Sequence, residues 1–158
     1  MDTCDFLIIG GGIIGISIAR ELKRRHPQAT LHLIEKEKGY GLHASGRNSG
    51  VLHAGFYYTA DSFKAKFTQI GNQRLKEYCE SRNIPVNKCG KLVVAQNKSE
   101  LSQLDELMVR AKNNNVPLDS ITEKEAKTIE PRVKTFERAL FSPTTSSVNP
   151  SQVVQAMR

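Results

Sequence analysis

The sequence has few of the features that would indicate a secreted or membrane-embedded protein. It has three cysteines, an odd number, and no C-x-x-C pair, which argues against a disulfide framework or a zinc site and suits a reducing compartment. Its apolar runs are far too short to span a bilayer. No basic segment precedes the first of them, as it would in a secretory signal. We therefore expect a cytoplasmic protein without a transmembrane segment, for which peripheral contact with the inner membrane stays open.

Positive charge is in excess but is not concentrated on one segment. The 158 residues include 23 Lys and Arg against 16 Asp and Glu, for a net charge of +7. The densest basic cluster, residues 23–26, falls at the C-terminal end of a predicted helix, where cations complement the helix dipole. We interpret it as a solvated helix end and expect no nucleic-acid partner. The composition is that of a globular protein, without internal repeats or low-complexity segments.

Residues 5–15, DFLIIGGGIIG, are the most informative part of the chain. An apolar run leads into three glycines with the spacing G-x-G-x-x-G, and a helical pattern follows. A second apolar run, residues 31–34, ends directly at Glu35, twenty positions after the last glycine. A strand, a glycine turn, a helix, a second strand and an acidic residue in this order predict a βαβ unit that holds the adenosine diphosphate part of a dinucleotide.

Each residue of the turn has a distinct expected task. Gly10 permits the tight turn from strand to helix, Gly12 lets a pyrophosphate approach the main chain, and Gly15 lets the helix pack closely on the strand. The free N–H groups at the start of the helix, on Ile13 and Ile14, face the phosphates.

Glu35 determines which dinucleotide is favoured. A carboxylate at the end of the second strand accepts hydrogen bonds from ribose hydroxyls and repels a 2′-phosphate. FAD or NAD is therefore expected in preference to NADP. The simpler alternative, a glycine-rich turn in an ordinary α/β protein, leaves the combined strand, helix and acid pattern unexplained.

Periodicity and capping signals predict further elements along the chain. The apolar face of a long helix is predicted to lie in the core, and its residues are Phe63, Phe67, Ile70, Leu75, Tyr78 and Cys79. Asp61 or Ser62 is expected to cap that helix. The predicted strands are residues 5–9, 30–35, 90–95 and 138–142, and the predicted helices are 13–25, 61–81, 99–112, a short one after a capping box at 122–125, and one that starts at 149.

Residues 46–58, GRNSGVLHAGFYY, carry a family resemblance. Together with the glycine motif and Glu35, this segment resembles FAD-dependent oxidoreductases of the D-amino-acid-oxidase superfamily, and within it the L-2-hydroxyglutarate oxidase/dehydrogenase family. Further similar segments are residues 62–66, 89–95, 130–131 and 148–150.

The resemblance implies an α/β fold in which the N-terminal part of a Rossmann-like FAD-binding domain is followed by the beginning of an inserted α+β substrate domain. Residues 1–80 would hold the βαβ unit, the flavin loop and the following helix. Residues 81–145 would begin the substrate or cap domain, and residues 146–158 would form a helix that returns toward the FAD domain. Family members continue well beyond this length, so we expect an N-terminal fragment that is truncated in its last helix.

The resemblance also implies site residues. Lys36 lies where such proteins often have a basic residue near the adenosine. His53 is the candidate base, and its alternative interpretation is a structural histidine that is hydrogen-bonded to backbone. The residues expected along the pyrophosphate and the isoalloxazine are Ser45, Gly46, Asn48, Ser49, Gly50 and Val51.

The implied reaction is oxidation of a small 2-hydroxy acid, foremost L-2-hydroxyglutarate to 2-oxoglutarate, by hydride transfer to the flavin of FAD. The final electron acceptor (oxygen, a quinone or an electron-transfer flavoprotein) is left open. The alternatives are another superfamily member that acts on an amino acid such as glycine or on glycerol phosphate, and an inactive fragment that only binds FAD. A NAD-dependent dehydrogenase would explain the glycine motif and Glu35 but not residues 46–58.

Overall fold

The computed structural model describes residues 3–158, which divide into two compact units. The first unit contains the residues up to Gly50 together with Asn149–Arg158, and the second contains Val51–Val148. In chain order the strands and helices are β1 (Phe6–Ile9), α1 (Ile13–Arg25), β2 (Leu31–Ile34), β3 (Val51–Leu52), α2 (Phe63–Ser81), β4 (Val86–Asn87), β5 (Lys91–Val94), α3 (Leu101–Asn113), β6 (Asp119–Thr122), α4 (Glu123–Ile129), β7 (Arg138–Ser142), β8 (Ser146–Val148) and α5 (Pro150–Met157).

The first unit contains the predicted βαβ arrangement. β1 and β2 pair in parallel, with Ile8 opposite Leu33 and Ile9 opposite Ile34. Parallel neighbours require a crossover connection, and α1 provides it. The partly buried residues Ile8 and Leu33 face α1, whereas Ile9 and Ile34 on the other face of the sheet are exposed. The predicted strand–helix–strand order is therefore present.

The second unit is built on two three-stranded antiparallel sheets. The strand orders are β3-β8-β4 and β5-β7-β6. The central strand β7 contains Leu140, which is completely buried and lies opposite Val93 on one side and Ser120 on the other. Leu140 belongs to a core cluster that also includes Ala54, Phe56, Ala95, Leu104, Ala111, Val116 and Leu118. The core thus joins the segment that follows β3 to both α3 and the larger antiparallel ladder.

The capping signals have the predicted geometry. Ser62, and not Asp61, caps α2, since its Oγ accepts a hydrogen bond from the Ala65 N–H at 3.1 Å. Thr122 and Glu125 form the predicted reciprocal capping box at the start of α4. The four strands β3, β4, β6 and β8 were not predicted from the sequence. β3, β4 and β8 have two or three residues, too few for a period of two to be seen. β6 has four residues, DSIT, but only one of them is apolar.

The prediction that Phe63 and Phe67 lie in the core is wrong. Both are exposed, at 76% and 64%, and their rings stack on each other with centroids 5.8 Å apart. The face of α2 that packs inward has a spacing of seven residues, Ala65, Asn72 and Cys79. This face consists of small and polar residues. From it, Asn72 donates hydrogen bonds to the backbone carbonyls of Leu52 and His53. The prediction failed at the N-terminal end of the face, whereas Cys79, from the same predicted face, is completely buried and Ile70, Leu75 and Tyr78 are partly buried.

The boundaries of the compact units differ from the domain boundaries expected from the sequence. The first break follows Gly50 and not residue 80, so α2 lies in the second unit. The reason is that α2 makes its polar contacts there, including the bond from Lys76 Nζ to the Thr144 carbonyl at 2.5 Å. The second break precedes Asn149, so α5 lies in the first unit. No helix within residues 3–158 has the length and apolar character needed to cross a membrane.

Truncation of the buried residue Leu140 to alanine is expected to lower the free energy of unfolding of the chain by about 2–5 kcal/mol, because it leaves a cavity in the core. Urea denaturation followed by circular dichroism measures this change. Val109→Ala is the control, since Val109 is 59% exposed and its truncation is expected to change the free energy by less than about 0.5 kcal/mol. Equal effects of the two substitutions would contradict the described core.

Candidate functional site

The glycine turn leaves open space at the carboxyl end of β1. Gly10 has a φ of 104°, and its N–H donates to the Ile34 carbonyl at 2.8 Å, which joins the turn to the end of β2. A Cβ added to Gly10 would meet no atom within 4 Å, whereas a Cβ on Gly15 would lie 2.0 Å from the Gly10 carbonyl oxygen. Gly15 therefore permits the close contact between helix and turn, and the space at Gly10 is available to a ligand.

Ser45 lies across the N-terminus of α1. Its Oγ accepts a hydrogen bond from the Ile13 N–H at 3.0 Å and would lie 3.2 Å from a Cβ on Gly12. A hydroxyl that accepts one bond keeps its own proton for donation. The helix start therefore presents a hydroxyl donor beside its free N–H groups, which is a donor set suited to an anionic group such as a phosphate. Ile14, one position further, has an exposed side chain.

The Glu35 carboxylate ties the end of β2 to the glycine turn. Oε2 accepts the Gly11 N–H at 2.6 Å, and Oε1 accepts the Glu37 N–H at 3.1 Å. These bonds, that of Glu37 first, lower the pKa of Glu35 below its usual value. Its contribution to folding is thus present at neutral pH and lost as the pH falls through that lowered pKa. Since each carboxylate oxygen can accept a second hydrogen bond, the group still has capacity for ribose hydroxyls.

A cavity of about 460 Å³ opens beside Glu35 at the carboxyl ends of β1 and β2. In open α/β sheets this is the edge at which ligands bind. Its lining residues are Ile9, Gly10, Ile34, Glu35, Lys36 and His43. The structure places His43 at this cavity, with Nε2 2.9 Å from the Glu37 carboxylate. No sequence motif marked the pair of Glu37 and His43.

The loop after β2 is shaped by contacts that tolerate few side chains. A Cβ on Gly46 would lie 2.3 Å from the Gly41 carbonyl oxygen. The Gly46 carbonyl accepts a hydrogen bond from Ser151 Oγ in α5 at 3.0 Å. Tyr40 covers Gly11, where an added Cβ would lie 2.2 Å from the ring. α5 and the aromatic ring thus hold the loop against the glycine turn.

Asn48 stabilises this loop from within. Its Nδ2 donates to the carbonyls of Ala44 and Ser45, both at 3.0 Å, and its Oδ1 accepts the Gly50 N–H at 2.9 Å. Gly50 is buried with a φ of 68°, a conformation that favours glycine. Ser49 is exposed. Asn48 therefore has an evident structural task, and any contact it makes with a cofactor would be additional.

The residues of the first unit fit the adenosine diphosphate part of FAD. The structure brings together the open turn at Gly10, the Ser45 hydroxyl at the start of α1, and the ionised Glu35. Two other predicted residues, Val51 and His53, lie in the second unit, where Val51 pairs with Ser147 across β3 and β8.

His53 lies on a segment, residues 52–58, whose backbone is held by side chains of two helices. Phe56 is buried in the core at the centre of this segment. Five carbonyls of the segment accept hydrogen bonds from three side chains. Asn72 donates to Leu52 (2.7 Å) and His53 (3.1 Å), Arg110 to Tyr57 (2.8 Å), and Asn114 to Gly55 (3.4 Å) and Tyr58 (2.8 Å). The backbone is thus fixed, while the His53 side chain is exposed.

The His53 imidazole is neutral at physiological pH. Desolvation and, next, the charge of Lys91 lower the pKa of His53 below its usual value. Within residues 3–158 no side chain or backbone group hydrogen-bonds to the ring, although the His53 carbonyl is bonded by Asn72. A neutral ring without a structural partner can accept a proton. Sequence reasoning assigned no role to Asn72 or Lys91. Lys91 lies in the similar segment of residues 89–95, but nothing in that segment marked it as a site residue.

Comparisons with known proteins agree with this arrangement. The family model described as FAD dependent oxidoreductase matches residues 5–158. The L-2-hydroxyglutarate dehydrogenase, mitochondrial, of Nematostella vectensis is 44% identical over 153 residues, which cover 96% of this chain and 33% of that protein. The Homo sapiens protein of the same name is 40% identical over 150 residues, 94% of this chain and 32% of that protein. The chain thus spans about a third of the length of the curated relatives it matches.

Solved structures show the same fold. The L-α-glycerophosphate oxidase of Mycoplasma pneumoniae, with FAD bound, has a TM-score of 0.86 and 28% identity and covers 99% of this chain and 42% of that one. The L-proline dehydrogenase of P. horikoshii has a TM-score of 0.85 at 24% identity, over 99% of this chain and 41% of that one. The similarity to the L-proline dehydrogenase shows only that the fold is shared.

Gly46→Ala is expected to abolish retention of FAD during purification and to lower the free energy of unfolding by roughly 1–3 kcal/mol, because the new Cβ collides with the Gly41 carbonyl. Flavin absorbance per protein and urea denaturation measure the two effects. Gly39→Ala is the matched control in the same loop, since its Cβ would only contact Leu42 at 3.8 Å. If both variants retained FAD equally, a tight loop at Gly46 would not be needed for the site.

Proposed function

The chain belongs to the family of FAD-dependent oxidoreductases, and on that premise we propose that it forms the N-terminal part of an enzyme that oxidises L-2-hydroxyglutarate to 2-oxoglutarate. The choice of L-2-hydroxyglutarate as the substrate rests on the similarity to L-2-hydroxyglutarate dehydrogenases along nearly the whole chain. The geometry of both units supports the proposal, because one offers a dinucleotide cradle and the other a neutral histidine on a fixed segment.

The first unit would hold the adenosine diphosphate part of the cofactor. The Ser45 hydroxyl, which is held by the Ile13 N–H, would donate to the pyrophosphate at the start of α1, where the helix dipole favours negative charge. Glu35 accepts hydrogen bonds from the ribose, and its position is held by the Gly11 N–H. When bound, FAD supplies the acceptor for the hydride that leaves the hydroxyl-bearing carbon of the substrate.

His53 would act as the base of the reaction. Oxidation of the alcohol would break an O–H and a C–H bond and turn the C–O bond into a carbonyl. An imidazole nitrogen of His53 would accept the proton, and bound FAD would supply the acceptor for the hydride. The lowered pKa keeps the ring unprotonated, and the three side-chain donors of α2 and α3 keep its backbone in place. The free ring nitrogens favour this role over that of a structural histidine.

Glycerol phosphate oxidation is the second candidate, favoured by the likeness to the Mycoplasma pneumoniae oxidase. Anaerobic mixing of the holoenzyme with one substrate at a time distinguishes the candidates, since bleaching of the flavin absorbance reports the first half-reaction whatever the final acceptor is. The panel consists of L-2-hydroxyglutarate, D-2-hydroxyglutarate, L-α-glycerophosphate and glycine. Rapid bleaching by L-2-hydroxyglutarate is expected. Bleaching by L-α-glycerophosphate or glycine alone would overturn the proposal, and bleaching by none would leave a binding-only protein.

The electron acceptor is a separate question that the same preparation answers. Oxygen, a quinone or an electron-transfer flavoprotein would each restore the flavin absorbance of the reduced enzyme at a characteristic rate. We expect one of the three to reoxidise the enzyme much faster than the others.

His53→Gln is expected to lower kcat/KM for L-2-hydroxyglutarate about 100- to 10,000-fold, because proton transfer to a positioned base is lost, while FAD is retained. In the unaltered enzyme kcat/KM should fall as the pH drops below the lowered pKa of His53, where the ring becomes protonated. This acidic limb should disappear in the variant. His26→Gln, at the end of α1, is the control and should keep both rate and limb. Unchanged turnover in His53→Gln would exclude a catalytic role.

A further inference from the structure

Lys91 places a positive charge beside the segment that carries His53. It is the first residue of β5 and lies opposite Ser142 of β7. Its Nζ is 4.7 Å from the centroid of the Tyr57 ring, and that ring stacks on the buried Phe56 with centroids 4.2 Å apart. The ammonium is therefore held over a fixed aromatic surface on the same segment as His53.

The charge of Lys91 is not neutralised by the protein. Four other cations of the second unit do have carboxylate partners, namely Lys88 with Glu80, Arg110 with Glu106, Lys127 with Glu123 and Arg138 with Asp105. Among the residues described here, no carboxylate lies within 4.0 Å of Lys91 Nζ. Lys91 is also half-buried, so water screens its charge less than that of a fully exposed lysine.

An uncompensated ammonium opposes the task assigned to His53. The ring must become a cation when it accepts the hydroxyl proton, and Lys91 disfavours that cation. The arrangement favours proton transfer only when an anion neutralises Lys91 first. A 2-hydroxy acid provides such an anion, because its carboxylate is attached to the carbon that bears the hydroxyl group. Binding of the substrate would thus remove the charge that opposes the reaction.

We propose that Lys91 is a substrate-binding residue that pairs with the carboxylate next to the reacting hydroxyl, an inference that rests on the proposed oxidation of a 2-hydroxy acid. Two other cations that contact this part of the unit are already engaged: Lys76 donates to the Thr144 carbonyl, and Arg110 donates to the Tyr57 carbonyl and pairs with Glu106. Lys64 lies over the Tyr58 ring, at 4.5 Å from its centroid. Lys91 forms no bond to the reacting atoms. It holds the carboxylate and so places the hydroxyl group toward His53.

The test compares Lys91→Gln and Lys91→Arg with Lys98→Gln in the FAD-loaded enzyme. Lys98 is an exposed lysine of the same unit and serves as the control. KM and kcat for L-2-hydroxyglutarate are measured, and the Kd of the product 2-oxoglutarate is measured by calorimetry without turnover. Loss of a charge-assisted hydrogen bond predicts that Lys91→Gln raises both KM and Kd about 10- to 100-fold. Lys91→Arg should keep both within a few-fold of the unaltered enzyme, and Lys98→Gln should change neither.

The proposal is overturned if Lys91→Gln binds 2-oxoglutarate as tightly as the unaltered enzyme. It is also overturned if Lys91→Arg is as defective as Lys91→Gln while both retain FAD, since the charge would then not be what matters. If Lys91→Gln loses FAD, Lys91→Arg alone is decisive: affinity for 2-oxoglutarate close to that of the unaltered enzyme supports the proposal, and loss of that affinity with FAD retained overturns it. Failure of the proposed function has a different signature, because the unaltered enzyme itself would then neither oxidise L-2-hydroxyglutarate nor bind 2-oxoglutarate.

Discussion

The hydrogen bond from the Gly11 N–H to the Glu35 carboxylate joins the two halves of the dinucleotide cradle. It connects the turn after β1 to the end of β2, and the Gly41 N–H adds a second connection by donating to the Gly11 carbonyl at 3.0 Å. The loop can then lie across the helix N-terminus, where Ser45 meets Ile13. Without these contacts the turn, the acid and the hydroxyl would not share one location. The proposed cofactor site therefore depends on two hydrogen bonds to the glycine turn. The Glu35 carboxylate accepts one from the Gly11 N–H, and the loop donates the other from the Gly41 N–H to the Gly11 carbonyl.

In the second unit, His53 is exposed on a segment whose backbone is held in place by hydrogen bonds. The segment of residues 52–58 is not a regular element over most of its length, so its carbonyls lack ladder partners. Asn72, Arg110 and Asn114 supply the missing donors. Phe56 anchors the middle of the segment in the core. Polar side chains thus donate to these carbonyls the hydrogen bonds that a neighbouring strand would otherwise provide. Among the described residues, none of these bonds involves the imidazole ring.

Electrostatics links the fixed segment to its proposed substrate. Lys91 is placed so that its charge disfavours a second positive charge on His53. Such a pair is unfavourable in the free protein and becomes favourable when an anion binds beside it. Strain of this kind is expected at functional sites, where local stability is given up for binding. The same reasoning explains why a base with a lowered pKa and an unpaired lysine occur together.

The amino-acid sequence by itself determined the βαβ unit, the capping box at Thr122, and the family, and it narrowed the cap of α2 to Asp61 or Ser62. These features depend on residues close together in the chain, such as glycine spacing and reciprocal capping, so they can be read from local patterns. Only the tertiary structure decided that Phe63 and Phe67 are exposed, that α2 lies in the second unit, and that Asn72 and Lys91 reach the segment of His53. Those contacts join distant residues, and a hydrogen bond from a helix side chain to a distant carbonyl leaves no periodic trace in the sequence.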